Sequence, residues 1–503
     1  MQSAETIVVG AGAAGAVIAA RMTERAGRDV LLLEAGPDYP PGTPLPRDLD
    51  DGTRNSLRAH DWGYRHRPTT QQVMFPLPRG KVVGGSSAVN TCIALRGVPS
   101  DYDEWASLGL DEWSFDRCLP AFKRLETDLD FENEWHGREG PIPIRRHTPD
   151  ELVPWQAAFL EACAESGRPR CADHNDPHAR GAGPHAMNKI DGVRMSAARC
   201  YLDARTRARE GLRILPGTTV RRVLFRGRRA IGVEVERGGA IATIAAERVV
   251  LAAGAIATPG ILLRSGIGPE REVRRLGVEL VADVPAVGAR LLDHPGVAFF
   301  LLPKRGVYGI EMPLIQTALR ERSPTSEHEN DVQIQPGCGV HLPRFSMPLV
   351  SIMCQVGKPR GTGTLRFPSA DPHAKPIIDS RLLEDADDRA HAVRSLGIAL
   401  ELADRKPMRE LARPVWPPPF VLRRRSLLDA FVRRICDSGY HPCGTVPMGK
   451  DGSDAAADQR GNVRGVEGLV VGDASLMPTI PTANTHLATL MIGERIGAWL
   501  RDV

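Results

Sequence analysis

The sequence lacks any C-x-x-C pair. Its nine cysteines, Cys92, Cys118, Cys163, Cys171, Cys200, Cys338, Cys354, Cys436 and Cys443, are odd in number and scattered. That excludes a zinc ribbon and a thioredoxin-like redox motif, and no metal site is assigned. Free thiols in a reducing cytoplasm fit the pattern better than a disulfide framework. No apolar run is long enough to span a bilayer, so no membrane span is expected. The first residues, Met1-Gln2-Ser3-Ala4-Glu5, carry no basic segment, and no signal peptide is expected. Charge of one sign is scarce. Lys+Arg 65 against Asp+Glu 61 leaves +4 over 503 residues, too little to imply a nucleic-acid partner or a membrane surface. Aromatic residues are 5%, so an aromatic-lined pocket is not expected. There is no internal repeat and no low-complexity linker. What is present, 42% hydrophobic and 25% charged residues, is ordinary for a folded chain able to bury a core without staples.

The opening reads as strand, turn, helix, strand. Thr6-Ile7-Val8-Val9 is a short apolar run, Val17 to Arg25 has helical spacing, and Val30-Leu31-Leu32-Leu33 is a second apolar run. This alternation predicts a βαβ unit in a buried parallel sheet. Between its first strand and helix lies Gly10-Ala11-Gly12-Ala13-Ala14-Gly15. Gly10 permits the tight turn, Gly12 lets the backbone approach a pyrophosphate, and Gly15 lets helix and strand pack closely. The helix N-terminus offers N–H groups and a positive dipole to phosphates. Glu34, at the end of the second strand, can accept both ribose hydroxyls of a nucleotide. The motif by itself does not choose between NAD and FAD.

Further on, Arg221 to Glu236 alternates like a hairpin turning at Arg226-Gly227-Arg228. Arg248 to Gly254 and Leu469 to Ala474 read as buried strands, and Leu487 to Leu500 as a closing helix. Pro154 to Glu165 reads as a helix, and Val332 to Gln335 and Leu349 to Gln355 as strands of a second region. Similar sheet elements at both ends, with different material between, predict a first domain built from discontinuous segments. The basic clusters, Arg221, Arg222, Arg226, Arg228 and Arg229, then Arg423 to Arg425, read as solvated faces.

A second glycine cluster, Arg79-Gly80-Lys81-Val82-Val83-Gly84-Gly85-Ser86-Ser87-Ala88-Val89-Asn90, suits close approach to a phosphate or a flavin ring. Together with Gly254 to Gly268, it resembles the two signature stretches of the glucose–methanol–choline (GMC) oxidoreductase family. The N-terminal unit resembles that family's ADP-binding βαβ. Tyr440-His441-Pro442-Cys443-Gly444-Thr445 and Pro481-Thr482-Ala483-Asn484-Thr485-His486 resemble its active-site stretches. The resemblance runs from about Thr6 to Arg495.

The resemblance implies an α/β plus α+β protein: a Rossmann-like FAD-binding domain built from discontinuous segments, and a substrate domain containing an antiparallel sheet. The expected segments are 1–150, 190–295 and 435–503 for the first, and 151–189 and 296–434 for the second. It implies FAD held at Gly10, Gly12, Ala13, Ala14, Gly15, Glu34 and Ala35. Gly84, Gly85, Ser86 and Asn90 would lie along the pyrophosphate and isoalloxazine. Val220 would face the adenine. Ala253, Gly254, Asp473, Ala474, His486 and Leu487 complete the set. Some members attach FAD covalently through a histidine just before the asparagine of the first signature. Here that position is Val89, so non-covalent FAD is expected.

It also implies oxidation of an alcohol to an aldehyde or ketone, by an oxidase or dehydrogenase, with hydride passing to the flavin and electrons then to O₂ or another acceptor. A hydride leaves an alcohol carbon easily only once the hydroxyl proton is removed, and a histidine has a suitable pKa. His441 is expected to be that base, with His486 at the partner position orienting the substrate oxygen. Which ring takes the proton stays open. Asn484 is left between a backbone and a flavin contact. Cys443 reads as a packed small side chain, and Asp293-His294-Pro295 as a structural turn. The alternative on the same scaffold is an FAD-containing lyase of hydroxynitrile-lyase type. A light-driven decarboxylase would carry a different pattern in place of the paired histidines. A NAD-dependent enzyme or plain nucleotide-binding module would leave the other motifs unexplained. Candidate substrates are choline-type, aryl, sugar and aminoglycoside alcohols.

Overall fold

The structure is a computed structural model that describes residues 3–324, 326–341, 346–450, 452 and 454–502. Two sheets organise it. In the first, Ser3–Val9 lies parallel to Val30–Leu33 on one side and to Ala240–Leu251 on the other. Leu212–Leu215 extends the sheet beyond Val30–Leu33, and Leu469–Val471 pairs with the far end of Ala240–Leu251. All four residues of Val30–Leu33 are buried, as a strand covered on both faces requires. The hairpin Thr218–Arg226 and Arg229–Arg237 pairs antiparallel onto the same sheet. On it, Arg221 pairs with Glu236 at 2.8 Å and Arg222 with Glu234 at 3.1 Å.

The helix Ala13–Met22 follows the first strand. A β-carbon at Gly15 would stand 1.9 Å from the Gly10 carbonyl oxygen, so only glycine lets the helix start this close to the strand. Against this helix lies the last one, Thr485–Asp502, joined by Arg21 Nε to Glu494 Oε2 at 2.7 Å. Tyr201 donates its hydroxyl to the other Glu494 oxygen at 2.5 Å.

The second sheet is antiparallel, in the order Ala412–Trp416, Pro295–Pro303, Ser346–Val356, Val332–His341, Thr317–Glu321 and Gly181–Pro184. Cys436–Ser438, grouped by sequence with the nucleotide segments, pairs with Pro295–Pro303 in this sheet. Period-two alternation sorts its central strands. Val332, Ile334, Val350, Ile352, Cys354 and Val356 join one buried core with residues of the helices Pro154–Glu165 and Ala386–Asp404. The intervening positions are Gln333, Gln335, Met353 and Gln355, with Gln333 opposite Gln355 and Gln335 opposite Met353. The three amides are buried too. A polar sheet face normally meets water; this one faces the first domain.

Among the described residues, no helix is long and apolar enough to cross a membrane. All nine cysteines are unpaired.

Candidate active site

A cavity of about 570 Å³ lies between the two sheets. From the first domain it is lined by Gly10, Gly12, Ala13, Ala14, Glu34, Ala35, Gly85, Ser86, Asn90, Val220, Ala253, Gly254, Asp473 and Ala474. From the second sheet and the C-terminal segments come Gln335, Met353, Gln355, His441, Asn484 and His486. Most of the cofactor residues expected from the sequence thus meet in one place. Gly15 and Gly84 shape the two glycine loops without lining the cavity. Leu487 does not line it either: its side chain is wholly buried in the core of the first domain. The low aromatic content misled in one respect. Trp62, Tyr64, Phe367 and Tyr440 all line the cavity, with Trp62 and Tyr64 stacked at 5.9 Å.

The two glycine loops abut. Gly84 N–H donates to the Ala11 carbonyl at 2.7 Å. Gly85, at φ +52°, has its missing β-carbon 2.7 Å from Gly12 Cα, a contact no other residue could make. A β-carbon at Gly12, by contrast, would meet nothing nearer than 3.9 Å. No side chain caps the helix that begins there. Open space beside an uncapped helix N-terminus fits a pyrophosphate.

Glu34 is buried at the end of its strand. Its two oxygens accept from Ala11 N–H at 3.0 Å and Gly36 N–H at 2.8 Å. Burial outweighs these bonds and raises its pKa to about 7. Ribose hydroxyls donating to its remaining lone pairs would favour the charged form. Replacing Glu34 by alanine should weaken FAD retention by about 10- to 100-fold, the worth of a hydrogen bond to a charged group. Equilibrium titration of apoprotein with FAD measures it. Loss of flavin reduction at saturating FAD would instead place Glu34 in the chemistry.

Asn90 accepts from Cys92 N–H at 3.0 Å, which leaves its amide NH₂ for the cavity. Asp473 is fully engaged by Gly254 N–H at 2.8 Å, Thr258 Oγ1 at 2.7 Å, and both Ser475 N–H at 2.8 Å and its hydroxyl at 2.6 Å. Its carboxylate therefore acts on the cavity wall by holding Gly254 and the turn at Ala474.

His441 follows Tyr440, which sits in the left-handed region at φ +63°. Asp293 holds that turn. It accepts from His441 N–H at 2.9 Å and from the Ser438 hydroxyl at 2.5 Å, and Ser438 in turn accepts from Tyr440 N–H at 2.7 Å. The ring itself is held by His294. His294 Nε2 lies 2.9 Å from the Pro481 carbonyl and 3.0 Å from that of Gly357. Carbonyls only accept, so Nε2 carries the hydrogen and Nδ1 the lone pair. His441 Nδ1, at 2.9 Å, must then donate to His294 Nδ1. Gln355 Nε2 donates to the same atom at 3.0 Å. The lone pair of His441 is left on Nε2, where Asn484 Nδ2 donates to it at 2.9 Å. Both rings are neutral. Burial holds His294 down to about 4. His441 is held well below the ordinary histidine range by burial, His294 and Arg79.

The triplet Asp293-His294-Pro295 is thus more than a turn: its first two residues hold the backbone and the ring of His441. His441 and His486 line the same cavity, but the residue bonded to His441 is Asn484. Asn484 precedes the helix Thr485–Asp502 and reaches His441, whereas His486 lies within its first turn. His486 is half-buried in the same cavity wall, its Nε2 is buried without a hydrogen-bond partner, and desolvation lowers its pKa to about 4. Cys443 is fully buried and burial pushes its thiol up, against any nucleophilic use.

A second cluster, Glu126, Asp128 and His136, has the spacing of a metal site. Arg96 on Glu126 and Arg146 on Asp128, at 2.6 Å, already neutralise it. His136 resists its burial through bonds to Asp128, Asp173 and Glu126 and rises to about 10, so it is a cation rather than a ligand.

Known proteins resemble the chain over nearly its whole length. The GMC oxidoreductase family is matched over residues 4–296 and again over 359–493. The chain is 34% identical to 5-(hydroxymethyl)furfural oxidase of Methylovorus sp., over 97% of each chain. It is 31% identical to oxygen-dependent choline dehydrogenase of Photobacterium profundum, over 97% of this chain and 91% of the relative. Its fold matches pyridoxine 4-oxidase from Mesorbium loti with a TM-score of 0.90 at 29% identity, covering 99% of both chains. These relatives are oxidases and dehydrogenases, and none supports the lyase alternative. The chain belongs to the GMC oxidoreductase family, as an FAD-dependent oxidase or dehydrogenase.

Proposed function

We propose that this oxidoreductase converts a small alcohol to the aldehyde or ketone, with His441 Nε2 taking the hydroxyl proton. One observation carries the reading: the His441 lone pair lies on Nε2, on the cavity side, with the amide of Asn484 beside it. An incoming hydroxyl can insert between them. Its oxygen then accepts from Asn484 Nδ2, and its hydrogen points at His441 Nε2. Bound FAD would supply the hydride acceptor. His441 is neutral at pH 7, as a base must be before each turnover. His486, two residues beyond Asn484, lines the same wall and keeps its place as a group that orients the substrate.

The FAD is held without a covalent bond, because Val89, which lines the cavity at the expected attachment point, has no nucleophile. The substrate is a small alcohol, the class to which the 5-(hydroxymethyl)furfural, choline and pyridoxine named for the relatives belong. Sugar and aminoglycoside hydroxyls remain in that class. O₂ or another acceptor takes the electrons.

The test is an anaerobic visible spectrum of the purified yellow protein, mixed in turn with a panel of alcohols. Bleaching of the flavin band is the expected result, and the speed at which air restores the colour separates oxidase from dehydrogenase. A flavin that no alcohol bleaches overturns the reading.

A further inference from the structure

The two carbonyls that fix His294 fix more than His441, because each side chain in line sets the polarity of the next. Asn484 donates its Nδ2 to His441 Nε2, so its Oδ1 faces the other way. Gln333 Nε2 meets that oxygen at 3.5 Å and also reaches Gln335 Oε1 at 3.4 Å. Gln335 Oε1 is therefore an acceptor. His185 Nε2, 3.1 Å from the same oxygen, must be the donor. His185 is fully buried, and burial with neighbouring His174 holds it well below the ordinary range, so one nitrogen alone carries hydrogen.

With its oxygen held from two sides, Gln335 has one orientation, and its Nε2 is the end left over. No protein group accepts from that NH₂ among the described residues. The side chain is only 6% exposed and lines the cavity. The carboxylates lining the cavity are Glu34 and Asp473, both on the nucleotide side and both engaged. Asp293, bonded to His441 N–H, does not line the cavity, so the wall beside His441 presents no carboxylate to a cation.

We propose that Gln335 is the specificity-determining donor of this site, reading a second oxygen on a neutral alcohol, and that His185 and Gln333 are the positioning residues that aim it. The inference rests on the alcohol-oxidation reading and narrows its substrate class to neutral alcohols with a hydroxyl, ether or carbonyl oxygen beyond the oxidised carbon. A buried donor left without an acceptor disfavours a substrate that lacks that oxygen, which is how such sites discriminate.

The experiment compares α,ω-alkanediols, from propanediol to hexanediol, each with the n-alkanol in which methyl replaces the far hydroxyl. The pair p-xylylene glycol and p-methylbenzyl alcohol extends it to aromatics. kcat/KM comes from anaerobic flavin reduction by the holoenzyme. At one chain length or in the aromatic pair, the diol should be preferred by about 10-fold or more, the worth of one hydrogen bond in a buried site. Gln335→Leu should bring that ratio close to one. Gln335→Glu, which keeps the shape but removes the donor pair when ionised, should lose it as well. Choline should react no better than the mono-alcohols. Bleaching by mono-alcohols with no diol preference, or a preference that survives both variants, overturns the assignment and leaves alcohol oxidation standing. A flavin that none of these alcohols bleaches overturns both.

Discussion

Replacing His441 by alanine should leave a folded, yellow protein whose flavin is reduced about 10²- to 10⁴-fold more slowly, the usual cost of losing a general base. The protein should keep its FAD, because Gly12, Glu34 and Gly85 belong to other segments of the cavity wall. Stopped-flow bleaching under anaerobic conditions separates this step from reoxidation. Reduction at the original rate would remove His441 from the chemistry. The acid side of the profile adds a second reading. A histidine base is competent above its pKa and lost as pH falls through it. Because His441 is held well below the ordinary value of 6.5, by burial and then by His294 and Arg79, the acid limb of kcat/KM should lie below 6.5.

His294 should matter almost as much without touching substrate. His294→Leu removes the acceptor that keeps hydrogen on His441 Nδ1. The ring can then place its hydrogen on Nε2, facing the cavity, where it cannot accept a proton. Flavin reduction should slow by about 10²-fold, the lower end of what general-base catalysis contributes. Because His294 also helps depress the His441 pKa, the acid limb should move up toward 6.5 in the variant. His294→Gln offers an amide oxygen to His441 Nδ1–H and an NH₂ to the Pro481 carbonyl, and should recover part of the rate. A purely structural role would give neither the pH shift nor the recovery. The leucine variant also leaves two carbonyls unpaired, at about 1–3 kcal/mol each, visible in thermal unfolding.

The nucleotide side was legible because its constraints are local. A strand, a tight turn and a helix within a few residues demand glycines at fixed spacing, and Glu34 ends the strand beside them. The catalytic side was legible only in part, because its constraints join distant segments. His294 meets His441 across 147 positions, and nothing in an Asp-His-Pro triplet announces that contact. Asn484 and His486 stand two residues apart, and the start of a helix between them decides which one reaches the base. The amides of Gln333 and Gln335 alternate with apolar residues as on any strand with one wet face. Only the packing of the first domain over that face turns them into a buried hydrogen-bonding surface.

The pairing of the helices Ala13–Met22 and Thr485–Asp502 has a consequence for biosynthesis. The dinucleotide loop leaves the ribosome early, but Leu469–Val471, which completes its sheet, and Asn484, which completes the catalytic wall, are translated hundreds of residues later. At about 5–20 residues per second, that leaves an interval of tens of seconds in which half a nucleotide site exists without the segments that complete it. Capture of FAD is therefore a late event in the life of each new chain, and flavin starvation should trap molecules that are fully synthesised rather than arrested midway.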